Sequence, residues 1–284
     1  MLINDKLPWS KRQLKKLGYA LLSDGTVPQN CPDYDSVMLW HHELAAEVAR
    51  VLRGAISNVN WNNGDITCHV TSRGKTVDTL IQKLERSSIT LDVIQDLAGV
   101  RIDGNFNTAQ QTQLAEALGK YFDVDERGFR DLRSTPHSGY RAFHLWLRLP
   151  AGRVEVQIRT EGQSEWANAY ERLGDHLGRG IRYGEEADVP GAQEVVEAFH
   201  QLSFELAAIE HKVMMVHFAQ TLPPDRIAKV IQTTPDPVQR AEFIELQQVL
   251  VDAESERQAI FTSHENYLVK MRRLRRMIED LEEV

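Results

Sequence analysis

The sequence predicts an α+β protein: a mixed β-sheet flanked by helices, with helices before it and a long helical extension after it. Three observations carry this expectation. Between residues 64 and 177, strand-like and helix-like stretches alternate, which calls for a sheet covered by helical layers. Two of the strand-like stretches are joined only by Pro150-Ala151-Gly152, a hairpin-length connection. Beyond residue 178 the apolar periodicity is helical throughout. The expected division is 1–63, an N-terminal helical segment; 64–183, the sheet domain; and 184–284, the helical extension.

Composition narrows the class. The chain has 284 residues, 42% of them hydrophobic and 26% charged, which is ordinary for a globular protein of one or two domains. A net charge of −8 excludes nucleic-acid binding through the whole surface but leaves room for a local basic patch. Cys31 and Cys68 lack histidines at ligand spacing, so they read as free thiols of a cytoplasmic protein. The N-terminus has no continuous apolar stretch of the signal-peptide kind. No run of about 18 apolar residues exists, so no membrane partner is expected.

The first clear helix runs from Val37 to Gly54, with Asp35 and Ser36 as capping residues and Val37, Trp40, Leu44, Val48 and Val51 as its buried stripe. Residues 68–72 read as a short strand. A helix follows with Val77, Leu80, Ile81 and Leu84 on one face, then a strand ending at Asp103. Residues 108–122 form an amphipathic helix, and 142–149 and 153–160 form the hairpin strands. In the extension, Val195, Phe199, Leu202, Leu206, Ile209 and Val213 make one helical stripe. Pro235 and Pro237 break the chain. From Phe243 to Leu281 apolar residues then recur at alternating steps of three and four, with Arg257 and His264 as polar faults. That seam should be buried, by folding back on the 195–213 stripe and by contributing to a homo-oligomer interface. The run Arg272, Arg273, Arg275 and Arg276 reads as a solvated helix face.

Strand alternation sorts the candidate functional residues. Val154, Val156 and Ile158 share one face; Glu155, Gln157 and Arg159 share the other. His144, Trp146 and Arg148 oppose leucines in the same way, and Arg101 and Asp103 oppose Val100 and Ile102. Asp96 lies just ahead. A sheet face with two acids among arginines and a histidine suits Mg²⁺ and phosphates, because Mg²⁺ takes a few carboxylates plus phosphate oxygens and arginines neutralise the rest. Arg73 and Lys75 precede a helix and offer cations to a polyphosphate. Tyr140, after Gly139, reads either as a ring stacked on a nucleobase or as a strand-edge tyrosine.

In order, Arg73-x-Lys75, Asp96-Leu-Ala-Gly-Val-Arg101, Gly139-Tyr140-Arg141-Ala-Phe-His144 and Glu155-Val-Gln-Ile-Arg-Thr160 resemble the synthetase domain of the RelA/SpoT family. The resemblance implies a nucleotidyltransferase-like domain. It also implies an ATP-dependent pyrophosphotransferase that moves the β,γ-pyrophosphoryl group of ATP to a nucleotide 3′-hydroxyl, giving a (p)ppGpp-like alarmone. By the same resemblance, Asp96 ligates Mg²⁺, and Glu155 is a base or second ligand. Arg73 and Arg101 hold adenine, and Lys75 contacts ATP phosphates. Tyr140 stacks on the acceptor base, and His144, Gln157 and Arg159 support the acceptor and the transferred group. Asp103 is expected to be structural.

Two departures bear on the acceptor. Members that use GDP or GTP usually carry Pro-Lys-x-Asn-Gly-Tyr. Here Pro136-His137-Ser138-Gly139-Tyr140 is one residue shorter and lacks that lysine and asparagine, and Arg133 is the expected substitute. The RxKxxxS motif ends in Thr79. The acceptor is thus a guanine or adenine nucleotide; alternatives are the 3′ end of tRNA, in a toxic relative, or nucleotide sensing with little catalysis. None of the ten histidines precedes an aspartate, so no alarmone hydrolase is expected.

Overall fold

Apolar alternation in the middle of the chain produces the longer strands of a sheet that has five strands among the described residues, and amphipathic segments produce the helices around it. The computed structural model describes residues 2–23, 26–59, 61, 66–75, 77–87, 89–222 and 224–280. The element order is α1 (Lys11–Leu22), α2 (Tyr34–Ile56), β1 (Cys68–Gly74), α3 (Val77–Ser87), β2 (Ala98–Gly104), α4 (Thr108–Tyr121), β3 (Phe129–Asp131), β4 (Phe143–Leu149) and β5 (Gly152–Thr160). It continues with α5 (Glu161–Leu177), α6 (Gln193–Thr221), α7 (Pro224–Thr233), α8 (Pro237–Ser255) and α9 (Arg257–Glu279). The α+β class with a mixed sheet is as the sequence predicts. The chain forms two compact units. One comprises Met1–Asn105, Gln111–Leu132 and Ala142–Arg159; the other comprises Phe106–Gln110, Arg133–Arg141 and Thr160–Val284. The expected boundary at 63/64 lies outside the described residues. Among the described residues, no helix is long and apolar enough to cross a membrane.

In the first unit the sheet order is β1-β2-β5-β4-β3. β1 pairs antiparallel with β2, β3 with β4, and β4 with β5. One face is dry: Val100, Ile102, Leu145, Leu147, Val154, Val156 and Ile158 are all buried. Each such side chain contributes about 1.5–3 kcal/mol relative to exposure. Helix α2 is capped by Asp33, not by Asp35 or Ser36: the Ser36 N–H donates to the Asp33 carboxylate at 2.7 Å. Its buried face is Val37, Met38, His41, Leu44, Ala45, Val48, Ala49, Leu52 and Ile56. Trp40 and Val51, expected in that stripe, are half-buried at its margin. Trp40 Nε1 donates to the Ala151 carbonyl at 2.8 Å, tying the helix to the hairpin turn.

Two strands differ from expectation. β1 continues through Gly74, so Arg73 is a strand residue. β3 has three residues, too few for alternation to register.

The second unit is helical. The sequence reading assigns no helix to α5, yet Thr160 and Gln163 form a reciprocal capping box at its start. Its Trp166, Tyr170 and Leu173 pack with Phe199, Leu206 and Ile209 of α6 and Tyr267, Met271 and Ile278 of α9. Val196, not Val195, faces this core; Val195 is 44% exposed. The long seam is not one helix. It breaks at Glu256, and Arg257 starts α9 on the surface. Leu250, Ala253, Ile260, Tyr267, Met271 and Ile278 of the seam are buried within the chain, while Leu281 lies outside the described residues. The Tyr267 hydroxyl donates to the Leu202 carbonyl at 2.9 Å. Arg272 pairs with Glu161 and Glu165, and Arg275 pairs with Glu165 at 3.1 Å. Half of the basic run therefore fastens α9 to α5 rather than being solvated.

Buried Glu210 of α6 accepts from the Thr160 hydroxyl and from Gln163 Nε2 at 3.0 Å. Burial raises its carboxyl above the ordinary 4.5, against the pull of those bonds and of Arg133 and Arg141. Tyr267 also lies in its field. A carboxyl raised on folding contributes stability that is present below the unfolded value and lost as pH rises through the folded one. Denaturant melts across a pH series should show the wild type losing stability relative to Glu210→Gln as pH climbs above 4.5. A pH-independent difference between them contradicts this.

Gly139 has φ +81°, and an added Cβ would lie 2.7 Å from the Trp166 ring. Gly139→Ala should therefore cost about 2–3 kcal/mol in urea unfolding, combining backbone strain with overpacking.

Candidate active site

The wet face of the sheet is assembled by register. His144 stands opposite Gln157, and Trp146 opposite Glu155, so all four leave the same face of β4 and β5. The Glu155 carboxylate accepts from Gln157 Nε2 at 2.8 Å and from Trp146 Nε1 at 3.3 Å, and lies 3.4 Å from His144 Nδ1. Gln157 in turn accepts from Arg159 at 2.8 Å, and Arg159 is 1% exposed. Burial would raise the Glu155 carboxyl. The charge and hydrogen bond of His144, the Gln157 amide and the Lys83 charge outweigh it, so the group sits well below the ordinary carboxylate value. Arg130 of β3 lies over the Trp146 ring, 4.4 Å from its centroid.

A second carboxylate, Asp96, precedes β2. It is held by Lys75 and, at 2.8 Å, by Lys83 of α3. Burial lowers the Lys75 ammonium, the charge of Asp96 opposes this, and the like charge of Lys83 lowers it further. Lys75 also feels Glu155. The two lysines thus lie in the fields of both carboxylates.

Arg73 of β1 stands opposite Gly99 of β2, and Arg101 opposite Thr71. The two arginines are diagonal neighbours on one face, roughly 7–8 Å apart at the backbone. Gly99 places no side chain beside Arg73, which leaves room for a flat ring. Asp103 stands opposite His69 at the far end of that pair.

Tyr140 and Arg133 belong to the second unit. Tyr140 is half-buried and packs against the Trp166–Tyr170–Phe199 core. Arg133 donates to the Thr108 carbonyl at 2.7 Å. Arg141 of the same motif is a structural residue: buried, it donates to the Ser203 carbonyl and hydroxyl at 3.2 and 3.0 Å.

Three residues of the sheet face and its border were not singled out from sequence. Lys83 sits between Leu80 and Leu84, where a lysine beside an apolar stripe draws no notice. Trp146 was placed on the face without a role. Arg130 lies on the strand too short to register. Burial pushes the Cys68 thiol up to about 11, in keeping with an inert free cysteine.

For Mg²⁺ the donor set fits. Asp96 and Glu155 would offer carboxylate oxygens, with side chains 20% and 12% exposed. Among the described residues no cluster of three or more His, Cys, Asp or Glu offers a self-sufficient metal cage. One or two carboxylates completed by phosphate oxygens and water is the arrangement Mg²⁺ favours.

Two carboxylates and several cations gathered on one face of a mixed sheet suit the binding of phosphate groups. Residues 72–173 match the family model described as "Region found in RelA / SpoT proteins". Over that region the chain belongs to the RelA/SpoT family. It is 44% identical over 237 residues to an uncharacterized protein of Mycobacterium tuberculosis, covering 81% of this chain and 84% of that one. It is 28% identical over 162 residues to the GTP pyrophosphokinase YjbM of Bacillus subtilis, covering 51% of this chain and 72% of the other. The fold is that of the small alarmone synthetase 2 of Bacillus subtilis, with a TM-score of 0.51, 23% identity, and coverage of 64% of this chain and 97% of that one.

The bond chain Arg159–Gln157–Glu155 should carry stability as well as geometry. Gln157→Leu strips one donor from a buried carboxylate and one acceptor from a buried guanidinium, at about 1–3 kcal/mol for each group left unsatisfied. Urea unfolding of this variant measures it; a loss below about 0.5 kcal/mol contradicts the network's role.

Proposed function

We propose that the protein is an ATP-dependent pyrophosphotransferase that moves the β,γ-pyrophosphoryl group of ATP to the 3′-hydroxyl of a free guanine or adenine nucleotide. The observation that carries this reading is the pair of lysines, Lys75 and Lys83, lying in the fields of both Asp96 and Glu155. Two acids and two ammonium groups in one place suit a reaction in which charge moves between phosphates. Membership of the RelA/SpoT family and similarity to a GTP pyrophosphokinase support it.

In this reading the ATP phosphates draw Lys75 and Lys83 away from Asp96, exchanging one anionic partner for another. Arg73 and Arg101 hold the adenine between their guanidinium planes, using the space beside Gly99. Asp96, with Glu155, would hold Mg²⁺, which supplies charge neutralisation between the phosphates when bound. Glu155, fixed by Gln157, Trp146 and His144, orients the acceptor hydroxyl. As the hydroxyl passes its proton to the Glu155 carboxylate, its oxygen attacks the β-phosphorus, the bond from the β-phosphorus to the oxygen bridging to the α-phosphorus breaks, and AMP leaves with that oxygen. Arg159 and His144 face the charge that develops on the transferred group. Positioning and charge stabilisation supply the rate.

Tyr140 is assigned the acceptor base and Arg133 the acceptor phosphates, on the strength of the family resemblance. A free nucleotide is preferred to tRNA because Arg272 and Arg275 are already engaged by Glu161 and Glu165. The cytoplasm, where both nucleotides are abundant, is the proposed location.

Asp96→Ala and Glu155→Ala should each lower transfer by about 10²–10⁴-fold with the fold intact. Lys83→Ala should raise the KM for ATP by about tenfold, the loss of one charge-assisted phosphate contact. The assay uses Mg²⁺, labelled ATP and GDP, GTP, AMP or ADP, with the nucleotides resolved afterwards. Absence of labelled product with every acceptor refutes the reading, and near-wild-type rates in Asp96→Ala or Glu155→Ala refute the site.

A further inference from the structure

Arg148 of β4 and Arg153 of β5 stand directly opposite one another in the hairpin. Their guanidinium groups leave the same face, and like charges so placed destabilise an antiparallel pair. Little on the protein offsets this. Arg148 reaches Asp125 at 3.6 Å, but both side chains are more than half exposed, at 53% and 58%, where a pair contributes little. Among the described residues, Arg153 meets a neutral partner, Gln95 Oε1 at 3.4 Å. Gln95 is itself fixed, since its Nε2 donates to the carbonyls of Leu147 and Val154 at 3.3 and 3.0 Å.

The two arginines and Lys11, the first residue of α1, line one cavity of about 320 Å³. Asp92 is the one acid among its described lining residues, and its carboxylate already accepts from the Thr90 hydroxyl at 2.6 Å. The floor is dry: Leu14, Leu91 and Leu97 are each at most 2% exposed. An apolar floor excludes water and strengthens the field of the cations above it. Three cations converging on a cavity with one engaged acid form a receptor for an anion of more than one charge.

We propose that Lys11, Arg148 and Arg153 form a phosphate subsite that takes the phosphoryl group of a phosphorylated ligand. The planar guanidinium groups suit bidentate contact with phosphate oxygens, and Lys11 supplies a point charge. The subsite is distinct from the Asp96–Lys75–Lys83 cluster. Arg153 lies two residues before Glu155 on β5, roughly 7 Å along the strand. The phosphate belongs either to the chain of the acceptor nucleotide or to a second phosphorylated molecule. The subsite stands independently of the pyrophosphotransfer reading; only the assignment to the acceptor rests on it.

The test is calorimetry with inorganic pyrophosphate on the full chain, in a Lys75→Ala, Lys83→Ala background that weakens binding at the candidate active site. Lys11→Ala and Arg153→Gln should each weaken pyrophosphate binding by about tenfold, the value of one charge-assisted contact. Without phosphate, Arg153→Gln should melt at or above the temperature of its parent, because the opposed charges are relieved. Lys11→Ala, on an exposed helix position, provides the second readout should Arg153→Gln fold poorly. If the same substitutions in the otherwise native chain raise the KM for a nucleoside diphosphate acceptor, the phosphate is the acceptor's. If acceptor KM is unchanged while pyrophosphate binding falls, the ligand is a separate phosphorylated molecule. Equal pyrophosphate affinity in parent and both variants overturns the subsite, whatever the transfer assay reports.

Discussion

The two-residue period of strand β5 is the constraint on which the first unit depends. Val154, Val156 and Ile158 go into a dry core, so Glu155, Gln157 and Arg159 are obliged to emerge together on the other side. A slip of one residue would bury a carboxylate and a guanidinium among leucines and expose three aliphatic side chains. The apolar face thus enforces the register, and the register sets the position of the polar groups. The same pairing brings Trp146 and His144 against Glu155.

The electrostatics of that face follow from crowding. Glu155 is ionised in spite of burial because its surroundings supply donors and positive charge. Asp96 is held by two ammonium groups, at least one of which loses much of its hydration. Such an arrangement is costly to assemble but adaptable. Each ammonium group could pair with a phosphate in place of a carboxylate without changing its own charge. The opposed Arg148 and Arg153 share this character: their charges are placed where the fold alone gains nothing from them.

The second unit uses charge differently. Arg272 and Arg275 spend their guanidinium groups on Glu161 and Glu165, and the neighbouring Tyr267, Met271 and Ile278 close an aromatic core with Trp166, Tyr170 and Phe199. Glu210 lies in the same unit as a buried acid satisfied by Thr160 and Gln163. Since Thr160 also caps α5, one hydroxyl starts that helix and bonds to α6.

Local periodicity was enough to place α2, α4, the β4–β5 hairpin and α6, and to put Glu155, Gln157, Arg159, His144 and Arg101 on polar strand faces. Alternation and helical spacing are properties of neighbours along the chain, so a sequence displays them directly. The motifs around Arg73, Asp96, Tyr140 and Glu155 pointed to the RelA/SpoT family, to which the chain belongs. What the sequence could not show was how segments distant along it meet. The Asp33 cap, the three-residue β3 and the break at Glu256 are small local choices that neighbouring periodicity does not register. The clasp of Lys83 on Asp96, the shelter of Glu155 by Trp146, the pairing of Arg272 with Glu161 and the convergence of Lys11 with Arg148 and Arg153 join residues from separate elements. Only tertiary packing decides those, because a charge acquires its partner from the fold and not from its place in the chain.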